Sequence, residues 1–218
     1  MSALSTEAIK ERLHSGDWGK RLVVSPLLDP DAQLKSGQAS VDVRLGFEFC
    51  LVSPSSTGSI DELNTSNGIS NFSSLYRRQY IPFGAGLTIH PHQFMLAQTL
   101  EYLRFPGDLM AYVVGRSTWG RLGLIVATAV GIHPGFAGSL TLELRNLGET
   151  PLTLYPGQTI AQLFIHEVVD SKGDPAQAIA DRAQYAGTVD MVPQRISSGH
   201  THTTLVKLRD RFEQRSNM

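Results

Sequence analysis

The chain has 218 residues, of which 41% are hydrophobic and 18% are charged, and its formal net charge is -1. This composition is typical of a soluble globular protein, and a nearly neutral chain has no general attraction for nucleic acid or an anionic membrane. The first 20 residues are polar and no apolar run is as long as a membrane span. We therefore expect a cytoplasmic protein without a signal peptide. Cys50 is the only cysteine, which excludes an intrachain disulfide and fits a reducing compartment.

The predicted elements begin with a helix at residues 5–15 and a strand at residues 39–52. Ser5 is placed to cap the helix, and Gly16 is expected to end it. The strand alternates in polarity, which is typical of a sheet with two different faces. One face carries Val41, Val43 and Leu45, and the other carries Asp42 and Arg44.

Short strands separated by Gly or Pro turns fill most of the remaining chain. They follow residues 53–74, a segment rich in Ser, Asn and Gly that we interpret as a loop or insertion. The predicted strands are 87–90, 93–100, 109–114, 124–130, 139–145, 151–155 and 160–168. Many short strands without β-α-β alternation favour one all-β domain, a barrel or jelly roll, over residues 1–198. Residues 199–218 form a polar tail, in which 205–215 favour a short charged helix.

Several common catalytic motifs are absent from the sequence. Zinc-dependent nucleobase deaminases use H-x-E and P-C-x-x-C segments, which require two neighbouring cysteines. The sequence also lacks H-E-x-x-H, the P-loop and the dinucleotide-binding glycine pattern. Ser117 stands in G-x-S-x-x-G, which differs from the nucleophile elbow of hydrolases.

Polar side chains cluster directly after the predicted strand 109–114. Arg116, Ser117 and Thr118 follow the strand, and Arg121 shares a face with Ser117 if the chain forms one helical turn. Hydroxyls and guanidinium groups at a helix start suit a phosphate chain. A capped turn with surface arginines explains the same residues, and spacing alone does not separate the two interpretations.

Five other polar or aromatic positions have equally plain structural explanations. Glu143 stands on strand 139–145, opposite the face of Leu140, Leu142 and Leu144, where a solvated strand face would carry it. His133 precedes a Pro-Gly turn, and Phe136 is of a type common in protein cores. The pair His200 and His202 lies in the polar tail, where a metal site is not expected.

Taken together, four segments resemble the dCTP deaminase branch of the dCTP deaminase/dUTPase superfamily, in a consistent order over residues 5–195. They are SVDVRLG from Ser40, GRSTWGRLGL from Gly115, TAVGIHPGFAGSLTLELRN from Thr128 and LTLYPGQTIAQL from Leu152. The second resembles G-R-S-S-x-A-R-x-G-L, with Thr118 for the second serine and Gly120 for alanine. The third resembles T-A-x-x-I-D-P-G-[FW]-x-G followed by a strand with L-E, and the fourth resembles L-x-L-x-P-G-x-x-I-x-Q-L.

The resemblance implies a distorted β-barrel of the dUTPase-like type, with a short N-terminal helix, that assembles as a homotrimer with sites at the subunit interfaces. It implies an enzyme that hydrolyses dCTP to dUTP and ammonia without zinc, with Mg²⁺ accompanying the triphosphate. Some members of the superfamily also cleave dUTP to dUMP and pyrophosphate.

The resemblance also implies roles for individual residues. Glu143 falls on the catalytic carboxylate, which takes a proton from water and passes it to the leaving amine. Ser117 and Arg121 fall on catalytic positions as well, and Ser117 helps to place the attacking water. The implied substrate-binding residues are Arg116, Ser117, Thr118 and Arg121 at the phosphates, Thr128 and Ala129 at the base, Ile132, His133 and Phe136 at the deoxyribose, and Gln162, Gln184, Tyr185 and Thr188 in the later segments.

The sequence departs from the family pattern at several positions. His133 replaces an aspartate, Gln184 replaces a lysine and Thr188 replaces a glutamine. Between Leu124 and Thr128 the chain is one residue shorter than the family pattern, and the histidine usual in that segment is missing. A dUTP-cleaving or bifunctional enzyme giving dUMP is one alternative, against which the loss of the acid at position 133 argues. A nucleotide-binding regulator with reduced or lost turnover is another. The retained Arg116, Ser117, Arg121 and Glu143 favour the deaminase.

Overall fold

The computed structural model describes residues 2–52, 76–127 and 131–169, together with Lys207, Asp210 and Gln214. The chain divides into two compact units. One contains Met1–Cys50 and Arg78–Met191, and the other contains Leu51–Arg77 and Val192–Met218.

The predicted loop at 53–74 lies outside the described residues, as does nearly all of the predicted helix at 205–215. The domain boundary at residue 198 stays a prediction. No helix in the described part of the chain is long and apolar enough to cross a membrane.

Strands form most of the described structure, which confirms the predicted all-β class. The helices are α1 (Thr6–Leu13), α2 (Pro30–Gln33) and α3 (Ser117–Gly120). The strands are β1 (Val23–Ser25), β2 (Val41–Val52), β3 (Tyr76–Tyr80), β4 (Leu87–Ile89), β5 (Phe94–Arg104), β6 (Leu109–Gly115), β7 (Leu124–Val126), β8 (Gly131–Ile132), β9 (Ala137–Asn146), β10 (Leu152–Leu154) and β11 (Thr159–Glu167).

The main sheet has nine strands and curls on itself. Its order is β7-β9-β5-β2-β11-β6-β8, with β1 beside β5 and β3 beside β2, while β10 and β4 form a separate pair. A Cβ atom placed on Gly115, at the end of β6, would lie 3.3 Å from Cγ2 of Val126 in β7. Strands near the two ends of the order therefore approach one another, and α3 connects them. This curled sheet confirms the predicted distorted barrel.

The apolar residues that were predicted to share one face of a strand form the core. Leu142 and Leu144 of β9 are fully buried and Leu140 is buried as well. The hydroxyl of Ser5 accepts a hydrogen bond from the Ala8 nitrogen at 3.2 Å, as predicted for the N-cap of α1. The helix ends at Leu13 rather than near Gly16. The backbone of its C-cap residue His14 is not helical, with φ −99° and ψ 5°, although its nitrogen still donates to the Lys10 carbonyl at 3.1 Å.

Some elements have no local signal that predicts them. The three-residue strand β1 exists because it pairs with β5, where Val24 lies opposite Leu103. The single turn α2 begins at Pro30, behind an Asp29 cap that accepts from the Ala32 nitrogen at 3.0 Å. Of the predicted strand 124–130, β7 covers Leu124–Val126, and residues 128–130 lie outside the described residues.

A bulge in β5 turns a carboxylate into the interior. Gln98 pairs with Thr141 and Tyr102 pairs with Ser139, so β5 has more residues than β9 between these two pairs. The Thr99 hydroxyl bridges the gap, since it donates to the Glu101 carbonyl at 2.8 Å and accepts from the Leu140 nitrogen at 2.9 Å. Such bulges redirect side chains. Here the bulge contains Glu101, whose side chain is fully buried.

The buried carboxylate of Glu101 is compensated by β2 and α2. It accepts hydrogen bonds from Nε of Arg44 at 2.7 Å and from the Arg44 backbone nitrogen at 2.8 Å. Gln33 donates to the same carboxylate at 3.1 Å and to the Asp42 carbonyl at 3.1 Å. Burial raises the pKa of Glu101, while its contacts with Arg44 oppose that change. The charged face of β2 is therefore buried, like its apolar face.

Candidate active site

The candidate active site begins where β6 ends and α3 starts. The Arg116 nitrogen donates to the Ile160 carbonyl at 3.1 Å, and the indole nitrogen of Trp119 donates to the Thr159 carbonyl at 2.9 Å. These two bonds fasten α3 to the beginning of β11. The Arg121 nitrogen donates to the Ser117 carbonyl at 3.0 Å, which confirms the predicted helical turn.

Three of the predicted phosphate-binding side chains on or beside α3 are exposed. Ser117 and Thr118 of α3 are exposed to solvent. Arg121, which directly follows the helix, is exposed as well. No carboxylate among residues 2–52, 76–127 and 131–169 forms a salt bridge with Arg121. Within these ranges, the turn therefore offers an anionic ligand hydroxyl groups and a guanidinium without an ion-pair partner.

Arg116 differs from Arg121 because it is half-buried and paired. Its Nη1 lies 2.6 Å from Oδ1 and 2.6 Å from Oδ2 of Asp42. The Asp42 side chain is 6% exposed, and that of Arg116 is 28% exposed. No functional role was predicted for Asp42. Its place beside Arg44 on the polar face of β2 was the available signal.

Gln162 lies on β11 next to this ion pair. The antiparallel register places Gln162 opposite Asp42 of β2 on one side and opposite Val114 of β6 on the other. Directly opposed residues on adjacent strands present their side chains to the same face of a sheet. The structure thus brings Gln162 and Asp42 to one face, and the Arg116 guanidinium reaches the same carboxylate.

Glu143 occupies a half-buried position on β9. Its neighbours Leu142 and Leu144 are fully buried, and burial raises the pKa of the Glu143 carboxyl group. The Glu143 carbonyl accepts a hydrogen bond from the Ala127 nitrogen at 2.7 Å, just beyond β7. Val126 of β7 lies close to Gly115 at the end of β6, and β7 pairs with β9, so the strand that carries Glu143 is one strand away from the β6–α3 junction.

The turn predicted to contact deoxyribose lies at the other end of β6. Ile132 is buried on β8 opposite Ala111, whereas His133 is exposed. The half-buried Phe136 closes the turn, and its carbonyl accepts a hydrogen bond from the Phe105 nitrogen at 2.8 Å. Ala111 precedes Arg116 by five positions, which corresponds to about 16 Å along a strand. A single chain does not place this turn beside Arg116.

Several predicted positions lie outside the described residues. They are the base-pocket residues Thr128 and Ala129, the C-terminal residues Gln184, Tyr185 and Thr188, and the histidines His200 and His202. Their roles stay predictions.

Comparison with known proteins shows the family of this chain. A family model described as dCTP deaminase-like matches residues 3–168. The chain is 39% identical over 164 residues to "dCTP deaminase, dUMP-forming" from Methanobrevibacter smithii, with 75% of this chain and 79% of the relative covered. It is 40% identical over 166 residues to "dCTP deaminase" from Haloarcula marismortui, with 76% and 80% covered. The chain belongs to the dCTP deaminase-like family.

A solved structure supports the same fold. The 2'-deoxycytidine 5'-triphosphate deaminase from Agrobacterium tumefaciens superimposes with a TM-score of 0.56 at 21% sequence identity. The match covers 76% of this chain and 48% of that chain, so this chain spans about half of the solved one. The comparisons confirm the resemblance that the sequence motifs indicated.

Proposed function

We propose that this chain hydrolyses dCTP to dUTP and ammonia. The observation that carries the proposal is the position of Glu143. Its half-buried carboxylate lies on β9, which pairs with β7, the strand that approaches the junction of β6 and α3. Membership of the dCTP deaminase-like family and the names of the two relatives support the same substrate.

In the proposed reaction Glu143 acts as the proton carrier. Its carboxylate accepts a proton from water as the water oxygen bonds to C4 of cytosine. It then gives that proton to the exocyclic amino group as the C4–N bond breaks. The second proton of the attacking water passes from the oxygen on C4 to ring N3, so that ammonia leaves and a carbonyl forms at C4. A carboxyl group with a raised pKa suits both steps, because it is a stronger base than an exposed glutamate and returns the proton readily.

The α3 turn provides the contacts to the triphosphate in this proposal. The exposed Arg121 supplies the positive charge, and Ser117 and Thr118 supply hydroxyl donors. Ser117 also helps to place the attacking water. Mg²⁺ enters as part of the substrate, bound to the triphosphate, and no zinc takes part.

We propose that a second copy of the chain completes the pocket, as in a homotrimer. The separation of about 16 Å between Ala111 and Arg116 along β6 supports this arrangement. A nucleotide whose phosphates contact α3 would then meet the turn from Ile132 to Phe136 of a neighbouring chain. Light scattering should show a trimer, and an active monomer would contradict the shared site.

The identity of the product depends on His133. Cleavage of the triphosphate requires a base to activate a second water, and His133 stands where the family resemblance implies an aspartate. We expect the exposed His133 to pair with anionic groups of the substrate instead, so that dUTP accumulates. The dUMP-forming name of the Methanobrevibacter relative favours the second candidate, a bifunctional enzyme. Chromatography of the products decides, since dUMP and pyrophosphate appearing in step with ammonia would establish the bifunctional reaction.

The central test of the proposal is the Glu143→Gln variant. Glutamine keeps the size of the side chain but cannot accept a proton, so ammonia release from dCTP should fall roughly 10²–10⁴-fold. Arg145→Gln is a matched control, because Arg145 is exposed two positions later on the same strand. It should keep nearly normal turnover. Near-normal turnover in Glu143→Gln would remove that residue from the mechanism.

A further inference from the structure

We infer that Asp42 is a positioning residue, which orients the Arg116 guanidinium for contact with the triphosphate of the substrate. The inference rests on the proposed function. Asp42 itself does not touch the nucleotide in this arrangement. It acts through Arg116, 74 positions away in the chain.

The geometry of the pair leaves part of the guanidinium available. Both carboxylate oxygens of Asp42 contact Nη1 of Arg116, each at 2.6 Å, and these contacts do not use Nε or Nη2. A guanidinium binds phosphate through two parallel N–H groups. With Nη1 held by Asp42, the edge formed by Nε and Nη2 is the one that can bind a phosphate in this way.

Asp42 is well suited to hold another side chain because it is itself fixed. The residue lies within β2 and is 4% exposed. Its carbonyl accepts a hydrogen bond from the Gln33 side chain at 3.1 Å, and that amide also binds the buried Glu101. The Arg116 backbone is fixed at the other end by its bond to Ile160. Both partners are therefore held independently of the contact between them.

Two effects of Asp42 oppose each other, and their balance can be measured. Its negative charge cancels that of Arg116, so removing the charge would by itself strengthen attraction for a triphosphate. Removing the carboxylate also releases the guanidinium from its fixed orientation. We expect the loss of orientation to outweigh the removal of the negative charge. The contact that orients the half-buried Arg116 is charge-assisted and shielded from solvent, so its loss has a large effect.

The test is a double-mutant cycle on the KM for dCTP. Asp42→Asn should raise KM about 10- to 100-fold, the range that loss of a hydrogen bond to a charged group implies. Arg116→Gln should raise KM at least as much. The double variant should be no worse than Arg116→Gln alone, because Asp42 has no role once Arg116 is gone. An unchanged or lowered KM in Asp42→Asn, or additive effects in the double variant, would overturn the inference.

Asp108→Asn provides the matched control. Asp108 forms an ion pair with Arg12, so its loss removes a comparable interaction without touching Arg116. This variant should keep the KM of the wild type, and a rise equal to that of Asp42→Asn would also overturn the inference. If Asp42→Asn does not fold, Arg116→Lys replaces it. Lysine can pair with Asp42 but has no second edge for phosphate, so an unchanged KM in that variant would count against the inference.

Binding measurements separate this inference from the proposed function. If the wild-type protein releases no ammonia from dCTP, the deaminase proposal fails while the role of Asp42 is still testable. The same cycle is then read by calorimetry, with dCTP and Mg²⁺ as the ligand. Weaker binding in Asp42→Asn that disappears in the Arg116→Gln background supports orientation of Arg116, and equal binding in all variants overturns it.

Discussion

The backbone nitrogen of Arg121 donates to the Ser117 carbonyl across 3.0 Å, which places the two side chains on the same face of α3. Both residues are exposed, whereas Arg116 is paired with Asp42. The two arginines of the GRSTWGR segment therefore have different environments. Arg121 is the guanidinium with full charge available, and Arg116 is the one with a fixed orientation.

This difference predicts a ligand-dependent effect of Arg121→Ala. The variant should weaken binding of dCTP by about 2 kcal/mol or more, since it loses a charge-assisted contact to phosphate. Binding of deoxycytidine, which has no phosphate, should change much less. Calorimetry with both ligands gives the comparison, and Lys20→Ala, at an exposed site on another part of the surface, is the control. Equal losses for the two ligands would place Arg121 at the base instead.

The pH dependence of turnover should report the burial of Glu143. Its pKa is raised because burial disfavours the charged form. The base must be ionised, so kcat/KM should fall with decreasing pH at a higher pH than an ordinary glutamate would cause. The acidic limb should disappear from the residual activity of Glu143→Gln. An acidic limb that persists in that variant would assign the titration to another group.

The same raised pKa has a consequence for stability, and the sign is opposite to that of a carboxylate whose pKa is lowered in the folded protein. The folded protein binds the Glu143 proton more tightly than the unfolded chain does. This contribution is fully present below the ordinary pKa of glutamate and is lost as pH rises through the raised value. Glu143→Gln should therefore gain thermal stability relative to wild type between acidic and neutral pH. A stability difference that is constant over this range would contradict the direction of the shift.

The buried pair of Arg44 and Glu101 should be costly to break from one side. Glu101→Leu leaves the Arg44 charge without its partner in the interior, and the free energy of unfolding should fall by about 3–5 kcal/mol. Urea denaturation measures this change. Replacing both residues, as in Arg44→Met with Glu101→Leu, should recover much of the loss. If both variants lose the same stability, packing rather than charge explains the effect.

Two glycines near α3 should respond differently to alanine. Gly123 has a φ of +92° and a Cβ there would lie 2.5 Å from the Gly148 nitrogen, whereas a Cβ on Gly120 would meet nothing within 4 Å. Gly123→Ala should lose about 1–3 kcal/mol of stability from backbone strain alone. Gly120→Ala should be nearly neutral or stabilising, because it lies in a helical turn. Thermal denaturation of the two variants tests the contrast.

Local patterns predicted the parts of this fold that depend on nearby residues. The Ser5 cap, the turn from Ser117 to Arg121 and the buried leucines of β9 follow from spacings of two to four residues, which one sequence displays directly. The strand β1 has no such signal, because its structure comes from pairing with a strand about 80 positions away.

The candidate site was predicted only in part, because some of its contacts also join segments that are far apart in the chain. Family motifs indicated Glu143 and the residues of α3, but they gave no partner for Arg116. The contact with Asp42 joins two motifs 74 positions apart and depends on how β2, β11 and β6 lie side by side. The inward turn of Glu101 depends likewise on the bulge in β5, and a bulge is visible only when the register of two strands is known.

The short strands at the two ends of the sheet order affect how the protein behaves in concentrated solution. Strand β8 contains two residues and β7 contains three, while the strands between them are considerably longer. An outer strand offers free N–H and C=O groups to other molecules in proportion to its length, and long flat edges promote aggregation. Among the described residues, the sheet therefore offers little backbone at β7 and β8 for uncontrolled strand addition.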